Sequence, residues 1–175
     1  MSELKLLNFP DKKLTIAATP IDTVDNTTKQ LAEDLITVLH EENLLGLSAT
    51  HFGIAKQMVV IDLSAERNQA QVFINPKIIE QRGKAIAKEA GVAVPGVDVD
   101  IERATWIKFE ALNQDGKPIE VEADDLFARV MQHEIDQMNG ILFIDRVSKL
   151  KRERLIKQFY KQKQRGCGSH CGHDH

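Results

Sequence analysis

The stretch Met131-Gln132-His133-Glu134-Ile135-Asp136-Gln137-Met138-Asn139-Gly140 decides how the rest of the chain is read. Leu126, Val130, His133 and Gln137 fall at spacings of three and four, so one helix carries them on a single stripe. Phe127, Met131, Ile135 and Met138 form an adjoining apolar stripe. Asp124 or Asp125 is placed to cap the start of this helix, and Gly140 to end it.

In a His-Glu-x-x-His helix, two imidazoles one turn apart grip a zinc-type ion, and the Glu between them takes a proton from metal-bound water. Here Gln137 stands where the second histidine belongs. A neutral amide oxygen is a much poorer ligand for such a cation than an imidazole nitrogen. Taken alone, His133 and Glu134 say little, since a lone histidine on a buried stripe is more often a hydrogen-bonded core residue. Other segments have to decide between the two readings.

Working outward, the chain of 175 residues, 42% hydrophobic and 28% charged, has the makeup of one ordinary soluble domain. A formal charge of −3 favours neither nucleic acid nor an acidic surface for the whole molecule. The N-terminus lacks the apolar core of a signal peptide and no apolar run reaches membrane-spanning length, so no membrane partner and a cytoplasmic location are expected.

Upstream, Leu31, Leu35, Val38 and Leu39 predict an amphipathic helix from about 24 to 43, with Thr27 or Thr28 near its start. The small-residue run 44–54 suits a close backbone approach or a tight turn. Met58 to Leu63 and Gln71 to Asn75 read as two antiparallel strands, with Pro76 marking the exit of the second. Residues 78–99 hold further extended segments bent at Gly91, Pro95 and Gly96. Around Asp115-Gly116, the alternating segments 105–112 and 118–123 make the clearest hairpin. After the His133 helix, 141–144 reads as a short strand or buried link, and a last helix carries Leu155, Ile156, Phe159 and Tyr160 on one face.

Three separated segments together resemble the peptide deformylases, metal hydrolases that remove the formyl group from starting methionines. The family's Gly-x-Gly-Leu-Ala-Ala-x-Gln motif is similar to Leu44-Leu45-Gly46-Leu47-Ser48-Ala49-Thr50-His51, with Leu44 for the first Gly and His51 for the Gln. Its Glu-Gly-Cys-Leu-Ser motif falls on Glu89-Ala90-Gly91-Val92-Ala93, with Gly91 for the metal-binding Cys, and His-Glu-x-x-His falls on His133 to Gln137. Val59-Val60-Ile61-Asp62, Ile74-Asn75-Pro76 and Asp115-Gly116-Lys117-Pro118 resemble the family's scaffold in the right order.

The resemblance implies an α+β fold, with antiparallel sheets packed around the helix of the His-Glu-x-x-Gln motif and a C-terminal helix. It implies a monomer, and the chain divides into a domain over 1–165 and, by composition, a Cys/His-rich flexible tail over 166–175. An iron or zinc ion is the implied cofactor, with His133 the retained ligand and Gly91 and Gln137 at lost ligand positions. Glu134 takes the role of general base and acid. The Val92 amide and His51 steady the oxyanion, a contribution of about 3 kcal/mol per donor. Gly46 and Leu47 would meet a formyl-Met or nascent peptide.

Without the ion nothing lowers the pKa of the attacking water from about 15.7 toward 7. The expectation is therefore a deformylase-like protein that keeps its peptide cleft with little or no hydrolase activity. Two readings stand against it. One is an active metallohydrolase of formyl-Met peptides with an altered ligand set, in which His133, His51 and an outside donor hold the ion. The other is a non-enzymatic module that binds the ribosome or nascent chains. The ribosome enters because eight Lys or Arg against one acid lie between Lys149 and Arg165, and family members with a C-terminal helix use it to dock there.

Both cysteines of the chain lie at its end, where Cys167, His170, Cys171, His173 and His175 give five donors in ten residues. This is ample for a zinc, nickel or copper ion.

Overall fold

The computed structural model describes residues 4–168. Three helices and seven strands follow in the order α1 (Asn26–Glu41), β1 (Gly46–Ser48), β2 (Met58–Ile61), β3 (Gln71–Arg82), β4 (Ala85–Ala90), β5 (Asp98–Arg103), β6 (Trp106–Leu112), β7 (Pro118–Asp124), α2 (Asp125–Met138) and α3 (Lys149–Gly168). Antiparallel pairing gives a five-stranded sheet, β1-β2-β3-β6-β7, and a separate two-stranded sheet, β4-β5.

Period-two alternation sorts β2 between two cores. Val59 and Ile61 point to α2, joining Phe73, Ile107, Phe109, Ala128, Met131, Ile135 and Met138. Met58 and Val60 point the other way, joining Leu35 and Leu39 of α1 with Leu47 and Ile74. A third cluster seats α3, through Leu155 and Phe159, on Ala93, Val94, Val97, Ile101 and Phe143. The helix of the central motif is thus covered by sheet on one side, as the sequence predicts.

Several local expectations are corrected. α1 starts at Asn26, with Thr27 and Thr28 in its first turn, and its cap is Asp25, whose carboxylate accepts from Thr28 N–H at 2.9 Å. Asp124 is the N-cap residue of α2 but makes no side-chain capping bond. Pro76 does not end its strand. β3 runs on to Arg82 through a register shift between Ile74 and Lys77, where the missing proline N–H leaves no ladder bond unmade. Of the two readings of 141–144, short strand or buried link, the link holds: Leu142, Phe143 and Ile144 are buried, and Phe143–Arg146 is a 3-10 turn. α3 runs from Lys149 to Gly168. His170, Cys171, His173 and His175 lie outside the described residues.

Gly140, at φ +80°, ends the passage from α2 into the next segment; a Cβ there would stand 2.5 Å from the carbonyl oxygen of Thr15. Closer to the motif, Leu44 and Leu45 are held from behind by the loop after β2. Asp62 N–H donates to Leu45 O at 2.9 Å, and Arg67 donates to the carbonyls of Leu44 and Asp62. The Asp62 carboxylate organises that loop by accepting from Ser64 N–H (2.9 Å), Ser64 O–H (2.5 Å), Gln69 N–H (3.2 Å) and His40 (2.8 Å).

Burial alone would raise the Asp62 pKa, but the bonds from Ser64, His40 and Gln69 outweigh it and hold the carboxyl below its ordinary 3.8. A depressed carboxyl pKa contributes stability that is present above the unfolded value and lost as pH falls below it. The urea midpoint is therefore expected to drop as pH falls below about 3.8, with a shallower drop in Asp62→Asn. Equal slopes in the two proteins would contradict this.

Candidate functional site

One face of α2 from Leu126 to Glu134, the segment leading into β1, and the end of β4 with the loop after it enclose one cleft, with a volume of about 350 Å³. Gly46, His51, Glu89, Gly91, Val92, His133 and Glu134 line it together. Six of the residues expected at the site from sequence therefore converge: His51, Gly91, Val92, His133, Glu134 and Gly46. Leu47 does not join them, because its fully buried side chain packs into the α1 core. Gln137 is buried one turn beyond Glu134.

Gly46 brings strand and helix this close. A Cβ there would lie 2.7 Å from Val130 Cγ1, a distance that real Cβ atoms essentially never show, and 3.0 Å from Glu134 Cγ, tighter than most real contacts. The β1 backbone is thereby laid directly over Glu134. The apolar wall comes from Leu44, Leu45, Leu126 and Val130, with Leu45 and Leu126 well exposed.

His133 is held from behind. Its Nδ1 lies 2.9 Å from Glu89 Oε1, and its ring stacks on Phe143 at 5.8 Å and 26°. With Nδ1 turned to Glu89, Nε2 faces Gly91, where an ideal Cβ would sit 3.2 Å away. A carboxylate behind an imidazole fixes its orientation and raises its basicity, the arrangement that accompanies metal-ligating histidines. Burial would lower the His133 pKa, yet the bond to Glu89 and the charges of Glu134 and Glu89 raise it.

Glu89 also accepts both arms of Arg103, Nε at 2.8 Å and Nη2 at 2.9 Å, together with Arg129 Nη1 at 2.6 Å. Arg103 reaches on to Asp136 at 2.6 Å, and Asp136 takes Arg146 at 2.8 and 2.5 Å. Burial works against a charged Glu89, but His133 and Arg103 prevail and hold its pKa at about 2. Sequence reading missed this network. Its signal was available: Arg129, His133 and Asp136 recur at helical spacing on a face otherwise apolar, where a charge needs a partner.

Glu134 sits differently. Its Oε2 is buried with no hydrogen-bond partner among the described residues; the nearest cation-forming group, His51 Nδ1, is 3.9 Å off, too far for a bond. Burial pushes its pKa up to about 7, only partly opposed by the charge of His133. Burial and the neighbouring charge of His133 hold His51 down at about 3, so it is neutral near pH 7, with Nδ1 accepting from Ser48 N–H at 3.1 Å. Gln137 Nε2 is likewise buried without a partner among the described residues.

Among the described residues, the donors do not make the thiolate-and-two-imidazole set. His133 offers Nε2, Gln137 an amide and Gly91 nothing, and no group of three or more His, Cys, Asp or Glu side chains is placed to hold a metal ion. His51 is held through Nδ1 by Ser48, which leaves Nε2 as its remaining ring nitrogen.

Comparisons with known proteins agree on what the cleft belongs to. The polypeptide deformylase family matches residues 3–153. A peptide deformylase of Tolumonas auensis is 42% identical over 92% of this chain and 96% of its own, and one of Chromobacterium violaceum is 37% identical over 93% and 97%. The crystal structure of a peptide deformylase from Legionella pneumophila superposes with a TM-score of 0.88 at 32% identity, covering 95% of this chain and 98% of that one. A peptide deformylase from Ehrlichia chaffeensis in complex with actinonin gives 0.86 at 31%, covering 93% and 98%.

These matches overturn the expectation of a relic with little or no activity: proteins alike along more than nine-tenths of the chain are peptide deformylases. That expectation weighed two ligand positions and gave too little weight to the whole surrounding site. The buried network also makes a stability prediction. Arg103→Met leaves Glu89 and Asp136 short of a partner, and urea unfolding should show a loss of about 3–5 kcal/mol. A loss under about 1 kcal/mol would mean that the network is not holding the site.

Proposed function

As the chain belongs to the peptide deformylase family, we propose that its cleft binds the N-formyl end of a methionine-type peptide and hydrolyses the formamide bond. The observation that carries this reading is Glu134, buried at the floor of the cleft with one oxygen unpartnered and a pKa of about 7. Such a carboxyl exchanges its proton near neutral pH, the condition under which one group serves as base and then as acid.

In the proposed reaction Glu134 takes a proton from water as the water oxygen attacks the formyl carbon. The same proton then passes to the peptide nitrogen as the C–N bond breaks, releasing formate and a free amine. The Val92 amide and His51 border the position of the developing oxyanion. Leu44, Leu45, Leu126 and Val130 offer an apolar wall for the methionine-like side chain. β1 is the edge strand of its sheet, and Gly46 at its cleft end suits an extended peptide laid alongside. Gly91 and Gln137 stand in two of the places of the family's thiolate and two imidazoles, so that set is not formed by these residues.

Formate release from an N-formyl-Met peptide by the full chain should fall by at least about 100-fold in Glu134→Gln. An unformylated peptide of the same sequence should release none. Equal rates in the two proteins, or no formate from the parent chain, would overturn the proposal.

A ribosomal contact is a second reading, favoured by one observation. α3 buries Leu155 and Phe159 and leaves Lys151, Arg154, Lys157, Lys161, Lys163 and Arg165 exposed on its outer side. Co-sedimentation with ribosomes should weaken steeply as salt rises and be lost on reversal of Lys157, Lys161 and Lys163 to Glu. Sedimentation indifferent to both changes would dismiss it.

A further inference from the structure

His51 stands where the family carries a glutamine, and the exchange raises a question that an amide does not. A glutamine side chain always presents its N–H groups, whereas a neutral imidazole carries one proton and donates from Nε2 only when Nδ1 is bare. We propose that Ser48 is a positioning residue that makes this choice, holding His51 in the form protonated at Nε2 and so presenting the cleft with a fixed N–H donor. The inference rests on the hydrolase reading of the cleft and deepens it.

The local fold brings the two residues together. Ser48 ends β1 and is the N-cap residue of the single 3-10 turn Ala49–Phe52, so His51, three residues on, comes back over it. Ser48, Thr50 and His51 are buried, with exposures of 0%, 1% and 1%, so their polar atoms depend on protein partners.

The protons of this cluster can be placed one by one. Thr50 O–H donates to the Gln137 carbonyl at 3.1 Å, because a carbonyl can only accept. Ser48 Oγ lies 2.9 Å from Thr50 Oγ1 and 2.9 Å from His51 Nδ1, with a single proton to give. Ser48 N–H, 3.1 Å from Nδ1, decides between them. A backbone hydrogen does not rotate away as a hydroxyl hydrogen does, and a proton on Nδ1 would meet it head on. Nδ1 therefore accepts from the amide and the hydroxyl of Ser48, and the ring proton stays on Nε2. The Ser48 carbonyl oxygen, 3.2 Å from Nδ1, is the contact that favours the opposite form.

The choice also matters to Glu134. His51 Nδ1 is 3.9 Å from Glu134 Oε2. A protonated Nδ1 would need only a small turn of the ring to bond that oxygen and occupy the base, whereas a bare Nδ1 has no hydrogen to offer it. Nε2, the other nitrogen of this cleft-lining ring, is then the donor that meets the formyl oxygen as charge develops on it.

The test is long-range proton–nitrogen correlation of the histidine rings in the isotope-labelled full-length chain near pH 7, a measurement that needs no turnover. The parent chain should show His51 protonated at Nε2 with a bare Nδ1, and the Nε2–H signal should move on addition of an N-formyl-Met dipeptide. Ser48→Ala removes one of the two donors to Nδ1 and should shift the ratio of the two neutral forms about five-fold toward Nδ1–H, the worth of one neutral hydrogen bond. Thr50→Val, which removes the competing acceptor, should keep the Nε2–H form.

A parent chain with its His51 proton on Nδ1 would overturn the inference without recourse to any variant. Ring-nitrogen shifts unchanged in Ser48→Ala, or an Nε2–H signal indifferent to the dipeptide, would overturn it as well. Formate release tells the two readings apart. Turnover by a chain whose His51 is protonated at Nδ1 sinks the inference alone. An Nε2–H form that responds to Ser48→Ala and to the dipeptide, in a chain that releases no formate, sinks the hydrolase reading alone.

Discussion

The Glu89 carboxylate is the point on which the site depends. It accepts from Arg103, Arg129 and His133 at once, and these residues come from β5 and from two turns of α2. The two-stranded sheet is therefore fastened to the central helix by charge and not by apolar contact alone. Three guanidinium groups and His133 share two carboxylates, and only with every hydrogen bond made does such a buried set hold together. What the fold gains is orientation: the imidazole is aimed before any ligand arrives.

A second constraint sets the opposite wall. The missing Cβ of Gly46 lets β1 lie against Glu134, and the Asp62–Arg67 loop fixes Leu44 and Leu45 at the rim. Between the two walls the carboxyl of Glu134 is buried, with one oxygen unpartnered among the described residues, which is why its pKa rises while that of Glu89, a few residues away in space but fully bonded, falls. Two carboxyls in one site are thus driven apart by their surroundings, one held charged as a support and one poised to exchange a proton.

Much of this was legible in the sequence. The period-3.6 stripe of α2, the hairpin around Asp115-Gly116 and the order of the three motif segments gave the α+β fold and brought His51, Gly91, Val92, His133 and Glu134 to one cleft. What was not legible depended on tertiary partners. Nothing local says that Pro76 sits at a bulge inside a continuing strand, that Leu47 turns away from the cleft, or that Glu89 answers to Arg103 fourteen positions on and Arg129 forty positions on. The lost Cys and His were legible too, but reading inactivity from them alone ignored how completely the rest of the site and chain match peptide deformylases.

The central claim is that this cleft receives the formylated end of a peptide. Amide and imidazole chemical shifts of the isotope-labelled full-length chain, followed during titration with an N-formyl-Met dipeptide, test it most directly. The account predicts saturable shifts at Gly46, Leu47, Gly91, Val92 and His133, much weaker with the unformylated dipeptide. Shifts confined to surfaces away from these residues, or the same shifts with and without the formyl group, would contradict it.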